Sequence, residues 1–124
     1  MTKALVVDDS RAMRLILSKT LRELGFDVSQ AANGREALET MDREGASFGL
    51  VLVDWNMPEL SGLEVVKSVR AQPAFDQVPV MMVTTETEIE QMVRALEAGA
   101  NEYIMKPFTR EVVEDKLRLL GVIQ

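Results

Sequence analysis

Three stretches of the chain are unbroken apolar blocks: ALVV at 4–7, LVLV at 50–53 and VPVMMV at 78–83. A strand that alternates polar and apolar residues keeps one face in water; a continuous block keeps neither. Such blocks suit strands buried on both sides, the situation of a parallel sheet covered by helices above and below. Two further runs, DVSQAA at 27–32 and EYIM at 102–105, bring the expected strands to five.

Helical patterns separate the runs. Residues 10–24 carry Met13, Ile16, Leu17, Leu21 and Leu24 at helical spacing, with Ser10 placed as N-cap and Gly25 as a stop. Residues 34–44 carry Ala37, Leu38 and Met41, and residues 61–71 carry Leu63, Val66 and Val69 after Ser61. Residues 87–98 carry Ile89, Met92, Val93 and Leu96 before Gly99, and residues 109–120 carry Val112, Val113, Leu117 and Leu120 before Gly121. The order βαβαβαβαβα predicts an α/β fold, a parallel sheet with helices on both faces joined by right-handed crossovers. A chain of 124 residues is the size of one ordinary domain, and no linker, repeat or low-complexity run divides it. Residues 1–124 are therefore expected to form a single domain, with no second domain.

Composition removes several chemistries. The net charge is −6 and the pI is near 4.7, so non-specific binding to nucleic acid, which rests on Lys and Arg neutralising phosphates, is disfavoured and no DNA partner is expected. With no cysteine there are neither disulfides nor thiolate metal sites. With no histidine there is no Ser-His or Cys-His catalysis, no imidazole ligand and no phosphohistidine made on this chain. The N-terminal MTKALVVDD has a four-residue apolar run that ends in two acids, so it reads as neither a signal peptide nor a membrane span. A cytoplasmic monomer, not bound to membrane, is the expectation.

The informative residues stand at the strand ends. The first run ends in Asp8 and Asp9, the third in Asp54, the fourth in Thr84 and Thr85, and the fifth in Lys106 followed by Pro107. In an open α/β sheet, ligands bind beyond the carboxyl ends of the strands. Three carboxylates gathered there repel one another, and a bound cation removes the conflict. An all-oxygen donor set points to a hard cation, Mg²⁺ first and Mn²⁺ as the alternative, rather than zinc. Lys106 and Thr84 suit a phosphoryl group as point charge and hydroxyl donor, and an aspartate among them can itself take the phosphoryl group as an aspartyl phosphate. Each piece alone has an ordinary explanation: acids favour a helix N-terminus, Asp54 suits a turn, Thr84 or Thr85 suits a helix cap, Lys106-Pro107 suits a solvated turn.

Asp8-Asp9, Asp54, Thr84 and Lys106-Pro107 together resemble the signature of the two-component receiver domain. The run Asp54-Trp55-Asn56-Met57-Pro58, and Tyr103 with Lys106-Pro107-Phe108, resemble its chemotaxis regulators in particular. The resemblance covers essentially the whole chain. It implies a flavodoxin-like (βα)5 sandwich with strand order 2-1-3-4-5, and Asp54 as phosphoacceptor. It implies that Asp9 binds Mg²⁺ directly, Asp8 helps through water, and the Asn56 backbone carbonyl adds a ligand along with Asp54. Thr84 and Lys106 then meet phosphoryl oxygens, and the Lys106–Pro107 bond is expected to be cis. Tyr103 occupies the position of a rotameric switch coupled to Thr84, against the plainer reading of a core aromatic, and Asn56 and Glu86 tune the loss of the phosphoryl group.

The implied function is a single-domain response regulator, a phosphoacceptor signalling protein rather than an enzyme acting on other substrates. A sensor histidine kinase is the implied phosphodonor. The implied output surface is the fourth helix, fifth strand and fifth helix, with Ile89, Met92, Leu96, Tyr103 and Lys116 on it; the plainer reading of Ile89, Met92 and Leu96 is that they are partly core. The implied target is a flagellar motor switch protein, with a phosphatase as a further partner. Thr85, Ile89 and the early end of the last helix depart from the chemotaxis pattern and bear on the identity of the target more than on the chemistry. Two other readings stand beside it: a stand-alone receiver acting as phosphorelay intermediate or phosphate sink, and a metal-dependent phosphatase working through an aspartyl phosphate. The second places Asn56 where such enzymes typically carry an acid, and an amide does no acid–base work. A flavin-binding flavodoxin is disfavoured because Asp8 and Asp9 would repel the cofactor phosphate.

Overall fold

A computed structural model describes residues 2–85 and 89–124. The strands are β1 (Lys3–Val7), β2 (Asp27–Ala31), β3 (Phe48–Asp54), β4 (Val80–Thr85) and β5 (Glu102–Lys106). The helices are α1 (Arg11–Glu23), α2 (Gly34–Glu44), α3 (Gly62–Arg70), α4 (Ile89–Ala98) and α5 (Arg110–Leu120). All strand pairs are parallel, in the order β2-β1-β3-β4-β5, as the family resemblance implies. Among the described residues no helix is long and apolar enough to cross a membrane.

Alternation along the three central strands explains why their sequences are continuously apolar. Leu5 and Val7, Val51 and Val53, and Val80 and Met82 point to one face, where they meet Ala37 and Met41 of α2, Val65, Val66 and Val69 of α3, and Ala95 of α4. Ala4 and Val6, Leu50 and Leu52, and Met81 and Val83 point to the other, against Leu17 and Leu21 of α1 and Val113 and Leu117 of α5. Both faces are dry, so no position in these strands tolerates a polar side chain until the strand ends.

Two strand starts differ by two residues from the sequence reading. β4 begins at Val80 rather than residue 78, because Pro79 has no N–H to give to the ladder; its carbonyl still accepts from the Val51 N–H at 2.8 Å. β3 begins two residues early, at Phe48, and its register against β1 slips between Lys3 and Ala4. Gly49 sits at that irregularity, and a Cβ there would run into the Thr2 side chain.

The helices start where their caps dictate. The Ser10 hydroxyl accepts from the Met13 N–H, Ser61 and Glu64 form a reciprocal capping box, and Thr109 accepts from the Val112 N–H. Helical periodicity located the helices but not every buried face. Ile16 of α1 and Val112 of α5 point to solvent, while Val65 of α3 is buried beside Val66. On α4 the expected stripe divides: Met92 is only 5% exposed, while Ile89 is 56% and Val93 50% exposed.

Candidate functional site

The carboxyl edge of the sheet gathers what the strands deliver. Asp8 follows the last residue of β1 and Asp54 is the last residue of β3; they are 1% and 5% exposed. Asp9, one residue on, turns to solvent. A carboxylate oxygen from each of Asp8, Asp9 and Asp54 lies within 4.8 Å of the others. From β5, two strands away from β3, Lys106 places its Nζ 3.1 Å from Asp54 Oδ1 and 3.7 Å from Asp8 Oδ2.

Local bonds hold Asp8 in place. Its Oδ1 accepts the Ser10 N–H at 2.8 Å, and its carbonyl accepts from Arg14 Nη1 at 2.7 Å. Its Oδ2 is buried and has no hydrogen-bond donor among the described residues. A buried carboxylate oxygen without a hydrogen bond is costly, and Lys106 Nζ at 3.7 Å offsets its charge only in part. That one lysine beside the three carboxylates leaves the cluster net negative. An all-oxygen, net-negative group with one unsatisfied oxygen fits a divalent hard cation.

The same imbalance shifts proton affinities. Burial, reinforced by the charge of Asp8, pushes the Asp54 carboxyl up to about 6 against the pull of Lys106. Asp8 is also raised, chiefly by burial, with the Ser10 N–H and Lys106 opposing. Without a cation, one or other carboxyl keeps its proton into the mildly acidic range.

The loop after Asp54 is tightly built. The Trp55 N–H continues the ladder to the Val83 carbonyl at 2.9 Å, and the Gly62 N–H bonds back to the Trp55 carbonyl at 3.1 Å. A Cβ on Gly62 would stand 2.5 Å from the Asp54 carbonyl oxygen, so only glycine lets α3 start this close to the strand end. Trp55 and Met57 are buried in the core, and Asn56 between them turns outward. Within the loop Glu59 has φ 66°. The Leu60 N–H bonds to the Pro58 carbonyl at 2.8 Å around it, a three-residue turn that strains any residue other than glycine.

Thr84 lies at the same edge, one residue beyond Val83, the register partner of Asp54, and is fully buried; Thr85 pairs in register with Lys106. The Lys106–Pro107 peptide is cis. Glu86 lies outside the described residues. The sequence reading thus named the groups that meet here, but it missed two holders of Asp8. Ser10 was visible only as a helix cap, and the reach of Arg14 back over one helical turn had no signal in the pattern.

At the free edge of β5, Tyr103 is half-buried against the α2–α4 side of the core. Lys116 of α5 extends across this edge and sets its Nζ 4.5 Å from the Tyr103 ring centroid. Of the residues expected on an output surface, Ile89, Leu96, Tyr103 and Lys116 are at least partly accessible; Met92 is not, being buried, and its neighbour Val93 is exposed instead.

This geometry has close parallels. Residues 4–118 match the family model described as the response regulator receiver domain. The chain is 47% identical over 119 residues to chemotaxis protein CheY1 of Helicobacter pylori, covering 95% of each chain. It is 47% identical over 116 residues to the chemotaxis protein CheY homolog of Campylobacter jejuni, covering 93% of this chain and 88% of that one. The crystal structure of chemotaxis protein CheY4 of Vibrio cholerae superposes with a TM-score of 0.86 at 39% identity, over 100% of this chain and 99% of that one. With the fold, the edge of acids and lysine, and near-complete relatives in agreement, the chain belongs to the response regulator receiver domain family.

Proposed function

We propose that this protein is a chemotaxis response regulator that takes a phosphoryl group onto Asp54 from the phosphohistidine of a sensor kinase. The observation that carries this reading is the meeting of Asp8, Asp9 and Asp54 oxygens within 4.8 Å, with Lys106 Nζ 3.1 Å from Asp54. The relatives named as chemotaxis proteins, near half identical over almost their whole length, support the pathway.

Asp54 acts as nucleophile: one carboxylate oxygen attacks phosphorus in line, the P–N bond to the donor imidazole breaks, and an acyl phosphate forms. Lys106, already beside that carboxylate, pairs with a phosphoryl oxygen as charge builds on the transferring group. Thr84 supplies a hydroxyl from the neighbouring strand. Asp8, Asp9, Asp54 and the Asn56 backbone carbonyl would hold Mg²⁺, or Mn²⁺ in its place. When bound, that ion supplies neutralisation of charge on the phosphoryl oxygens.

Water later hydrolyses the acyl phosphate, with Asn56 and Glu86 setting the rate. The chain is thus its own substrate, a phosphoacceptor rather than a turnover enzyme. Movement of Thr84 toward the phosphoryl group and of Tyr103 inward changes the α4–β5–α5 face, a shift between two populations. Ile89, Val93 and Leu96 give that face its apolar stripe, and a flagellar motor switch protein is the partner proposed for it. The test is retention of the protein on immobilised switch protein with and without acetyl phosphate and Mg²⁺. Retention that rises with phosphorylation and is lost in Asp54→Asn is expected; equal retention in both conditions contradicts a motor output.

A further inference from the structure

Glu102, Tyr103 and Lys116 form a closed triangle on the free edge of the sheet. As the edge strand, β5 has a partner on one side only, and the Tyr103 N–H bonds to Glu102 Oε1 at 3.0 Å instead of to a strand. That same oxygen accepts from Lys116 Nζ at 3.0 Å. The carboxylate thereby fixes the ammonium where it caps the Tyr103 ring, 4.5 Å from the centroid. Both partners of the ion pair are mostly shielded, with side chains 26% and 19% exposed, so the pair is better held than one on open surface. The ring lies between the core on one side and a cation on the other. It also borders a cleft of about 280 Å³ lined by Lys106, Pro107, Val112 and Lys116.

We infer that Lys116, positioned by Glu102, is a latch that holds Tyr103 in its half-buried orientation and opposes its inward rotation. Rotation of the ring takes its face out from under the ammonium, which Glu102 keeps at the sheet edge, so the cation–π attraction is available to one orientation only. Lys116 is a positioning residue in this account. It sets how large a bias phosphorylation must supply, and it touches neither Asp54 nor the metal ligands. The inference rests on Tyr103 being the switch.

The test exploits the fact that Tyr103 is the only tyrosine. With 3-fluorotyrosine incorporated, one ¹⁹F resonance reports this ring, and its shift between H₂O and D₂O measures solvent exposure. In the wild type, acetyl phosphate with Mg²⁺ should reduce that isotope shift. Lys116→Met should reduce it already in the unphosphorylated protein, reflecting an inward population raised roughly two- to fivefold. Lys116→Arg, which keeps a cation over the ring, should retain the wild-type value, and Glu102→Gln should fall between. If the wild-type value changes on phosphorylation but Lys116→Met leaves the unphosphorylated value unchanged or raises it, as simple uncovering of the ring would, the latch is overturned and the switch survives. If the wild-type value does not change on phosphorylation, the switch reading fails and the latch with it.

Discussion

Lys106 Nζ stands 3.1 Å from Asp54 Oδ1, its closest charged neighbour among the described residues at the carboxyl edge of the sheet. The pair joins β5 to β3 across the intervening β4, so the lysine is aimed by the fold rather than by its local sequence. In the metal-free protein it offsets part of the repulsion between Asp8 and Asp54. Lys106→Met should leave Mg²⁺ binding intact, since the oxygen ligands remain, while slowing phosphorylation by acetyl phosphate at least about tenfold. Titration of Trp55 fluorescence with Mg²⁺ and timed mass spectra check the two halves separately. Loss of both together would show that Lys106 serves only to assemble the site.

Proton linkage at Asp54 has a definite sign. Its carboxyl is pushed up to about 6 in the fold, whereas an unfolded aspartate titrates near ~4. Between those values the folded state binds more protons than the unfolded one, so this group lowers metal-free stability as pH rises through the interval. Asp54→Asn removes the penalty. In EDTA, urea unfolding should show the advantage of Asp54→Asn over wild type growing by about 2 kcal/mol between about pH 4.5 and 7.5. Because the ion competes with that proton, Mg²⁺ affinity should rise over the same interval.

Glu59 carries backbone strain with little return. Its φ of 66° disfavours a side chain, and the Arg35 ion pair it makes, at 3.4 Å, is exposed on both partners. Glu59→Gly should stabilise the protein by about 0.5–1 kcal/mol and raise Tm by a few degrees. Thermal melts decide it; a lower Tm would mean that the Arg35 contact outweighs the strain.

Arg70 is the opposite case, a polar side chain holding much of the far end of the sheet. Its guanidinium donates to the carbonyls of Phe75 and Val78 at 2.8 Å each, to the Gly99 carbonyl at 2.9 Å, and to Asn101 Oδ1 at 2.8 Å. That Asn101 oxygen also accepts the Val80 N–H that opens β4. Arg70→Met should cost about 3 kcal/mol in urea unfolding, and Arg70→Lys should recover only part of it, because an ammonium cannot span the fork. Phosphorylation of the folded fraction should be unaffected, since the site lies at the other end of the strands.

These cases show what was readable in the chain. The apolar runs of β1, β3 and β4 were legible because both faces of those strands are dry; Asp8 and Asp54 stood out because they end two of those runs, and Lys106 because it ends the shorter run of β5 before a proline. The bulge at Gly49 and the division between Met92 and Val93 were not legible, since each depends on which neighbour the element meets. Arg14, Arg70 and the Glu102–Lys116 pair were missed for the same reason: long side chains bond to groups that only the tertiary fold brings near. Strand order came from family resemblance, since alternation alone allows other windings of the sheet.

The central claim is tested most directly by the intact mass after acetyl phosphate is added, with Mg²⁺ or with EDTA, for wild type and Asp54→Asn. A gain of one phosphoryl group in wild type that requires Mg²⁺ and is absent from Asp54→Asn is the predicted result. No gain in wild type, while Trp55 fluorescence still responds to Mg²⁺, would contradict it: the acidic site would bind its ion without accepting a phosphoryl group.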